Sequence, residues 1–366
     1  MNIEKIRLSG FKSVADLKLN TVTPFSVFAG SNGAGKSNVT DALDFVRLII
    51  EFGAAKAISH FGGFPSVHCM KFKKQKARTF EFHIDAVISG DRISYVLKVH
   101  DMDGSPNLEE HLSVDGTSEI KRAKGAFPQI RGLEAPLPNF PPDVSALVLC
   151  RMDIRNFLSN IRVFRFDPFR AKEPDDSGAD AGELNPQGTN LATMLAGFEK
   201  NQLIREQIID WMGLLVPGME WVATERQRLD NRTVITFKEE GTKTHFPAKL
   251  ISDGTVYALC IMTAVLSRAQ GKGITIIEEP ERGIHPKAIA ELVDLMRECA
   301  SAEHPVFVTT HSESVVREAK PDELWLVNKV SGKTEVKNAG RLCGDLKGLN
   351  LDKAWLMNFF DGGLPW

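Results

Sequence analysis

The chain has 366 residues, with 45 Lys+Arg against 47 Asp+Glu and a formal net charge of -2. That balance excludes a strongly basic nucleic-acid coat, while 43% hydrophobic and 25% charged residues exclude a disordered or fibrous chain. The length fits two units of ~150 residues or one large α/β domain that buries about three quarters of its unfolded surface.

Ile3, Ile6 and Leu8, then Val14, Leu17 and Leu19, predict two short strands. Phe25-Ser26-Val27-Phe28-Ala29 is a third, apolar enough for a buried sheet position. A glycine-rich turn leads into a helix over Ser37 to Phe52, where Val39, Leu43, Val46 and Ile50 recur at helical spacing. From Thr79 to about Ile120, strand-like runs (Phe80 to Ile84, Ser94 to Val99) between Gly-Asp and Asp-Gly turns predict an antiparallel patch.

Pro128, Pro136, Pro138, Pro141 and Pro142 predict a surface loop between Lys124 and Asp143, and Lys172 to Gly188, rich in Pro, Asp and Gly, predicts a second exposed connection. Asn190 to Leu215 reads as two helices too short for a coiled coil, followed by short strands around Trp221-Val222 and Thr233-Val234-Ile235. After Ser252 a helix runs toward Ser267. Strand and helix then alternate to about Val316, the pattern of a parallel sheet.

Cys69, Cys150, Cys260, Cys299 and Cys343 are scattered and never spaced C-x-x-C, which argues against a disulfide framework or zinc knuckle and for buried thiols in a reducing, cytoplasmic compartment. No signal-peptide pattern opens the chain. Its longest near-apolar stretch, Val256 to Leu266, is short of the ~20 residues that span a bilayer, so no membrane partner is expected.

Gly30-Ser31-Asn32-Gly33-Ala34-Gly35-Lys36-Ser37 fits G-x-x-x-x-G-K-[ST] between an apolar strand and an amphipathic helix, the context of a P-loop. Its backbone N–H groups, with Asn38 at the start of the helix, suit phosphate binding; Lys36 would reach the β/γ-phosphates and Ser37 would ligate Mg²⁺. Downstream, Gly273 to Ile277 runs apolar into Glu278-Glu279-Pro280-Glu281 and sets two acids at a strand's C-terminal end, where α/β sheets carry their chemistry. Glu278 would hold the metal and Glu279 would polarise the attacking water. Pro305 to Thr310 reads as another strand that delivers His311-Ser312 to the same edge, where the imidazole can sense the γ-phosphate. Leu250-Ile251-Ser252-Asp253-Gly254-Thr255, taken alone, is a helix N-cap after a strand end.

In this order the motifs resemble the ABC-type ATPases. Ile6-Arg7-Leu8-Ser9-Gly10-Phe11-Lys12-Ser13, Glu278 to Pro286 and Thr309-Thr310-His311-Ser312 are most similar to the RecF/SMC/OLD-type branch, and within it to compact ATPases encoded beside bacterial defence and toxin-antitoxin genes. The resemblance runs nearly end to end and is weakest from Lys71 to Pro142. It implies an α/β ABC-type head with a mixed or parallel sheet, an antiparallel β patch, a small helical lobe and no long coiled coil. The expected parts are an ATPase lobe over 1–168, a helical signature lobe over 169–269 and the rest of the ATPase lobe over 270–366. It also implies ATP and Mg²⁺ as ligands and a homodimer in which Ser252 and Gly254 of one copy contact the γ-phosphate held by the other. Arg282 to Pro286 would be the D-loop at that interface, Glu279 the catalytic base and His311 the switch. The usual Walker B aspartate is Glu278 here, and no Q-loop glutamine can be placed.

The expected activity is ATP hydrolysis by a DNA-associated sensor or clamp in genome maintenance or phage defence. Lys71, Lys73, Lys74, Lys76 and Arg78, interleaved with Phe72 on what reads as a solvated strand face, are the candidate DNA contact. The alternative is a nucleotide-gated scaffold for a separately encoded nuclease or toxin, with the apolar tail Trp355 to Trp366 as docking surface or as packing against the head. The ATPase subunit of a membrane transporter is a third and weaker reading, because Phe11-Lys12-Ser13 and His285-Pro286 match the DNA-repair branch.

Overall fold

The computed structural model describes residues 1–133, 137, 139–175, 182–342 and 350–359; the side chain of Lys74, Pro136, Pro138, Cys343 and the tail from Phe360 to Trp366 lie outside the described residues. A six-stranded sheet occupies the centre, in the order Lys333–Asn338, Leu324–Val330, Phe25–Ala29, Val306–Thr310, Thr275–Glu278, Arg162–Phe164. Lys333–Asn338 is antiparallel to its neighbour, and the other five strands are parallel. Alternation along each strand sends Phe28, Ile276, Phe307 and Trp325 into a core on one face and Val27, Ile277, Val308 and Leu326 into a core on the other. Burial on both faces explains why these strands are continuous apolar runs rather than alternating ones.

On the first face lie the helix Lys36–Phe52 and a seven-stranded sheet whose successive pairs are all antiparallel, built from Leu17–Asn20, Asn2–Ser9, Phe80–Ile88, Asp91–His100, Asn107–Val114, Thr117–Arg122 and Gln129–Ile130. Phe80–Ile88 buries every second residue, as a half-covered strand must. Glu110, buried in this sheet, accepts hydrogen bonds from Tyr95, Ser145 and the Ala146 amide and pairs with Arg122, so its charge is compensated. On the second face pack the helices Leu191–Phe198, Gln202–Leu215, Asp253–Arg268 and Pro286–Glu298, with a three-stranded sheet of Met219–Arg226, Thr233–Glu239 and Phe246–Pro247.

The parallel register aligns the chemistry. Ala29 stands opposite Thr310, Thr309 opposite Glu278, and Ile277 opposite Phe164, so all four strands end at one edge. The α/β class and the antiparallel patch read from the sequence are both present.

Four expectations change. Arg162–Phe164 and the hairpin Leu324–Val330/Lys333–Asn338 belong to the central sheet, although the alternation pattern gave no sign of them. Lys74–Arg78 is a turn of 3₁₀ helix and not a strand face. The proline-rich loop contributes a short strand, Gln129–Ile130, because Ile130 finds cover against the sheet. The second connection is not wholly exposed: Leu184 is buried, and Asp175 bridges to Thr233. Among the described residues, no helix is long and apolar enough to cross a membrane.

Candidate phosphate-binding site

Gly30 to Ser37 leaves the strand Phe25–Ala29 and turns into the helix Lys36–Phe52. Gly35 has φ 105°, and a Cβ there would lie 2.0 Å from Thr334 Oγ1, so both conformation and space demand glycine. Thr334 sits on the unexpected hairpin and braces the loop. Its hydroxyl meets Ser13 Oγ at 2.6 Å, and Asn38 Nδ2 donates to the same Ser13 oxygen at 2.6 Å. Lys36 is buried at 8% exposure, and its ammonium donates to the carbonyls of Gly30 at 2.7 Å and Ser31 at 3.1 Å. Burial lowers its pKa below the usual lysine range, against the opposing pull of Glu279, Glu281 and Glu278. A cavity of about 280 Å³ opens beside it, walled by Asn32, Gly33, Lys36, Ser37, Asn38, Glu278, Glu279, Thr309 and Lys329 among others.

Glu278 takes a hydrogen bond from Thr40 Oγ1 at 2.5 Å and another from Arg165 Nη2 at 2.8 Å, both on Oε1. Its Oε2 faces Ser37 Oγ at 3.5 Å, too far for a strong hydrogen bond. A hydroxyl and a carboxylate so placed are hard oxygen donors that fit Mg²⁺, which fills its other positions with water and substrate phosphate. Glu279 adopts the left-handed backbone conformation at φ 51°, uncommon for a residue with a Cβ. Its carbonyl and that of Glu278 both accept from the Tyr257 hydroxyl, at 3.1 and 3.0 Å.

His311 Nδ1 lies 3.3 Å from Glu279 Oε1 and 3.6 Å from Glu281 Oε1. Glu281 accepts from Thr310 Oγ1 at 2.7 Å and from the His311 amide at 3.3 Å, while its buried Oε2 has no hydrogen-bond partner among the described residues. Burial raises the pKa of Glu281, and the hydrogen bonds and His311 offset only part of that rise.

Ser252 caps the helix Asp253–Arg268 by accepting from the Thr255 amide at 3.1 Å, and Lys172 holds Asp253. Gly254 packs against Gly283: a Cβ on Gly254 would meet the Gly283 carbonyl oxygen at 2.0 Å. Ser252 and Gly254 do not line the cavity, and neither does His311, which reaches it through Glu279 at 3.3 Å. Among the described residues, three of the basic side chains go to different surroundings. Lys71 borders a neighbouring cavity of about 460 Å³ with Lys12, His68 and Lys329, Lys76 stacks over Phe72 at 4.3 Å, and Arg78 pairs with Asp103 at 2.9 Å.

Sequence reasoning passed over Arg165, Tyr257, Glu281, Lys329 and Thr334 as members of this neighbourhood. Arg165 follows only two apolar residues, Val163-Phe164, too short a run to single it out as Glu278 was singled out.

The family model described as "AAA domain, putative AbiEii toxin, Type IV TA system" matches residues 25–317. The chain belongs to this family. Three SMC head structures resemble this AAA-domain chain in fold. One, bound to the C-winged helix domain of ScpA, is 16% identical with a TM-score of 0.59, covering 97% of this chain and all (100%) of its own. A Pyrococcus furiosus head with an extended coiled coil, bound to the C-terminal domain of ScpA, is 17% identical with a TM-score of 0.56 and 98% coverage of both chains. A Thermotoga maritima head is 16% identical with a TM-score of 0.50, covering 92% of this chain and 99% of its own. No curated protein matches significantly in sequence. The chain is thus an AAA-domain P-loop protein that shares the fold of the SMC ATPase heads.

Proposed function

We propose that this head binds ATP with Mg²⁺ and hydrolyses it in a sandwich of two copies. The supporting observation is the separation of Ser252 and Gly254 from their own phosphate cavity, while Arg282, Gly283, His285 and Pro286 stand exposed beside them. Residues that do not line their own chain's cavity are free to serve a partner's, with the N-terminus of the helix Asp253–Arg268 aimed at an anion. Gly30 to Asn38 cradle the phosphates, and Lys36 exchanges its two carbonyl contacts for phosphate oxygens. Ser37 and Glu278 hold Mg²⁺, which neutralises developing charge when bound. Glu279 accepts the proton of the attacking water, and His311, within 3.3 Å of Glu279, orients it. The three parts, 1–168, 169–269 and 270–366, act as one head with a helical signature lobe.

The test is light scattering on Glu279→Gln with and without ATP. A dimer that forms only with ATP is expected; a monomer under every nucleotide condition would sink the sandwich.

For the assembled head we favour the nucleotide-gated hold on a separately encoded effector. The family's toxin-antitoxin description and the ScpA-bound SMC heads support a protein partner. Met357 and Phe359, 71% and 49% exposed, offer apolar surface near the end of the chain. DNA sensing draws less support from the dispersed Lys71, Lys76 and Arg78. DNA affinity that falls steeply with salt, at a slope of several phosphate contacts, would restore it. A cytoplasmic location follows from this reading.

A further inference from the structure

The strand Arg162–Phe164 runs parallel to Thr275–Glu278, and Phe164 stands opposite Ile277. The next pair along the edge is therefore Arg165 with Glu278, and their side chains meet at 2.8 Å. The same nitrogen of Arg165 reaches Asp41 Oδ1 at 2.6 Å, and the other Asp41 oxygen takes Lys12 Nζ at 2.6 Å. Asp41 and Glu278 are each only 13% exposed, so these contacts are shielded from water on the acid side. The Arg165 amide also donates to the Pro186 carbonyl at 2.8 Å, which fixes the backbone where the chain enters its helical segment.

A guanidinium has five N–H donors and no lone pair, so it cannot ligate a metal; it can only neutralise the carboxylate that would. Arg165 and a divalent ion on Glu278 would be like charges on one carboxylate, and each weakens the other's hold.

We infer that Arg165 is a resident counter-cation of Glu278 that competes with Mg²⁺ for this carboxylate and withdraws to Asp41 when the metal-nucleotide enters. This positioning role rests on the phosphate-site reading above. A guanidinium stays charged at any physiological pH, so Arg165 is a permanently charged partner of both carboxylates. Arg165 thereby sets the Mg²⁺ concentration at which nucleotide is retained, and links it to the segment anchored at Pro186.

The measurement is equilibrium binding of a fluorescent ATP analogue to the full chain, titrated with MgCl₂. Arg165→Gln is expected to lower the Mg²⁺ midpoint on the order of tenfold, the worth of one charge-assisted hydrogen bond. Arg165→Lys, which keeps the charge without the fork, should lower it less. Asp41→Asn removes the alternative perch and should raise it, a shift of opposite sign that a merely structural role does not produce. An unchanged or raised midpoint in Arg165→Gln overturns the inference, as does a lowered midpoint in Asp41→Asn. Absence of Mg²⁺-dependent binding in the wild type overturns the phosphate-site reading itself, and the inference with it.

Discussion

Tyr257 and Glu279 are joined through one hydroxyl: the Tyr257 O–H lies 3.1 Å from the Glu279 carbonyl and 3.0 Å from that of Glu278. Tyr257 belongs to the helix capped by Ser252, so the helix that carries the proposed signature also pins the backbone of the acid pair. Glu279 needs that support, since it holds a left-handed backbone at φ 51° without being glycine.

Tyr257→Phe keeps the ring, 2% exposed in the wild type, and removes only the donor. We expect a stability loss of about 1–3 kcal/mol, from carbonyls left short of a partner in a buried site. ATP turnover should fall while nucleotide affinity holds, because the acids lose alignment and the P-loop does not. Unchanged kcat and melting temperature would mean that the bond from the Glu279 amide to the Thr309 carbonyl, at 2.8 Å, suffices to hold the turn.

Lys36→Ala and Glu279→Gln separate binding from chemistry. Losing Lys36 should abolish nucleotide binding, read by titration calorimetry, with the fold intact by circular dichroism. Losing the Glu279 carboxylate should leave binding intact and slow hydrolysis about 10²–10⁴-fold. Turnover unaltered in Glu279→Gln would remove Glu279 from the role of base.

Gly254→Ala would place a methyl 2.0 Å from the Gly283 carbonyl oxygen, and because the obstacle is backbone, one segment must move. Overpacking of this kind costs about 1–3 kcal/mol. We expect a lowered melting temperature and loss of ATP-driven association, since both displaced segments lie on the proposed interface. Retained association in a folded variant would argue that the two glycines face away from the partner.

His304 is expected to make the protein acid-sensitive. It is fully buried, with Nε2 2.6 Å from the Thr275 hydroxyl, which in turn accepts from Arg268 at 2.8 Å. Burial, with Arg268 nearby, depresses its pKa from 6.5 to about 4. A depressed folded pKa means that the unfolded chain binds the proton first, so this stability is present above pH 6.5 and lost as pH falls toward about 4. The full loss is on the order of 3 kcal/mol. Melting temperature measured from pH 7 to pH 4 should fall less in His304→Gln than in the wild type; parallel curves would rule His304 out as a source of the sensitivity.

The sequence by itself determined the α/β class and singled out Gly30 to Ser37, Glu278-Glu279 and His311 as the candidate site, because each is a local pattern: an apolar run that ends in a turn or a charge. It could not determine that Arg162–Phe164 is the neighbour of Thr275–Glu278, or that the hairpin Leu324–Val330/Lys333–Asn338 closes the other side. Strand order is a property of pairing between distant segments, and short runs such as Arg162–Phe164 carry too few residues to announce a period. That pairing alone brings Arg165 to Glu278, across 113 positions of sequence, and Thr334 to Ser13, across 321. The basic run from Lys71 to Arg78 shows the same limit from the other direction: Lys71 borders a cavity, Lys76 lies over an aromatic ring and Arg78 pairs with an acid, contacts that a run of neighbouring charges does not announce.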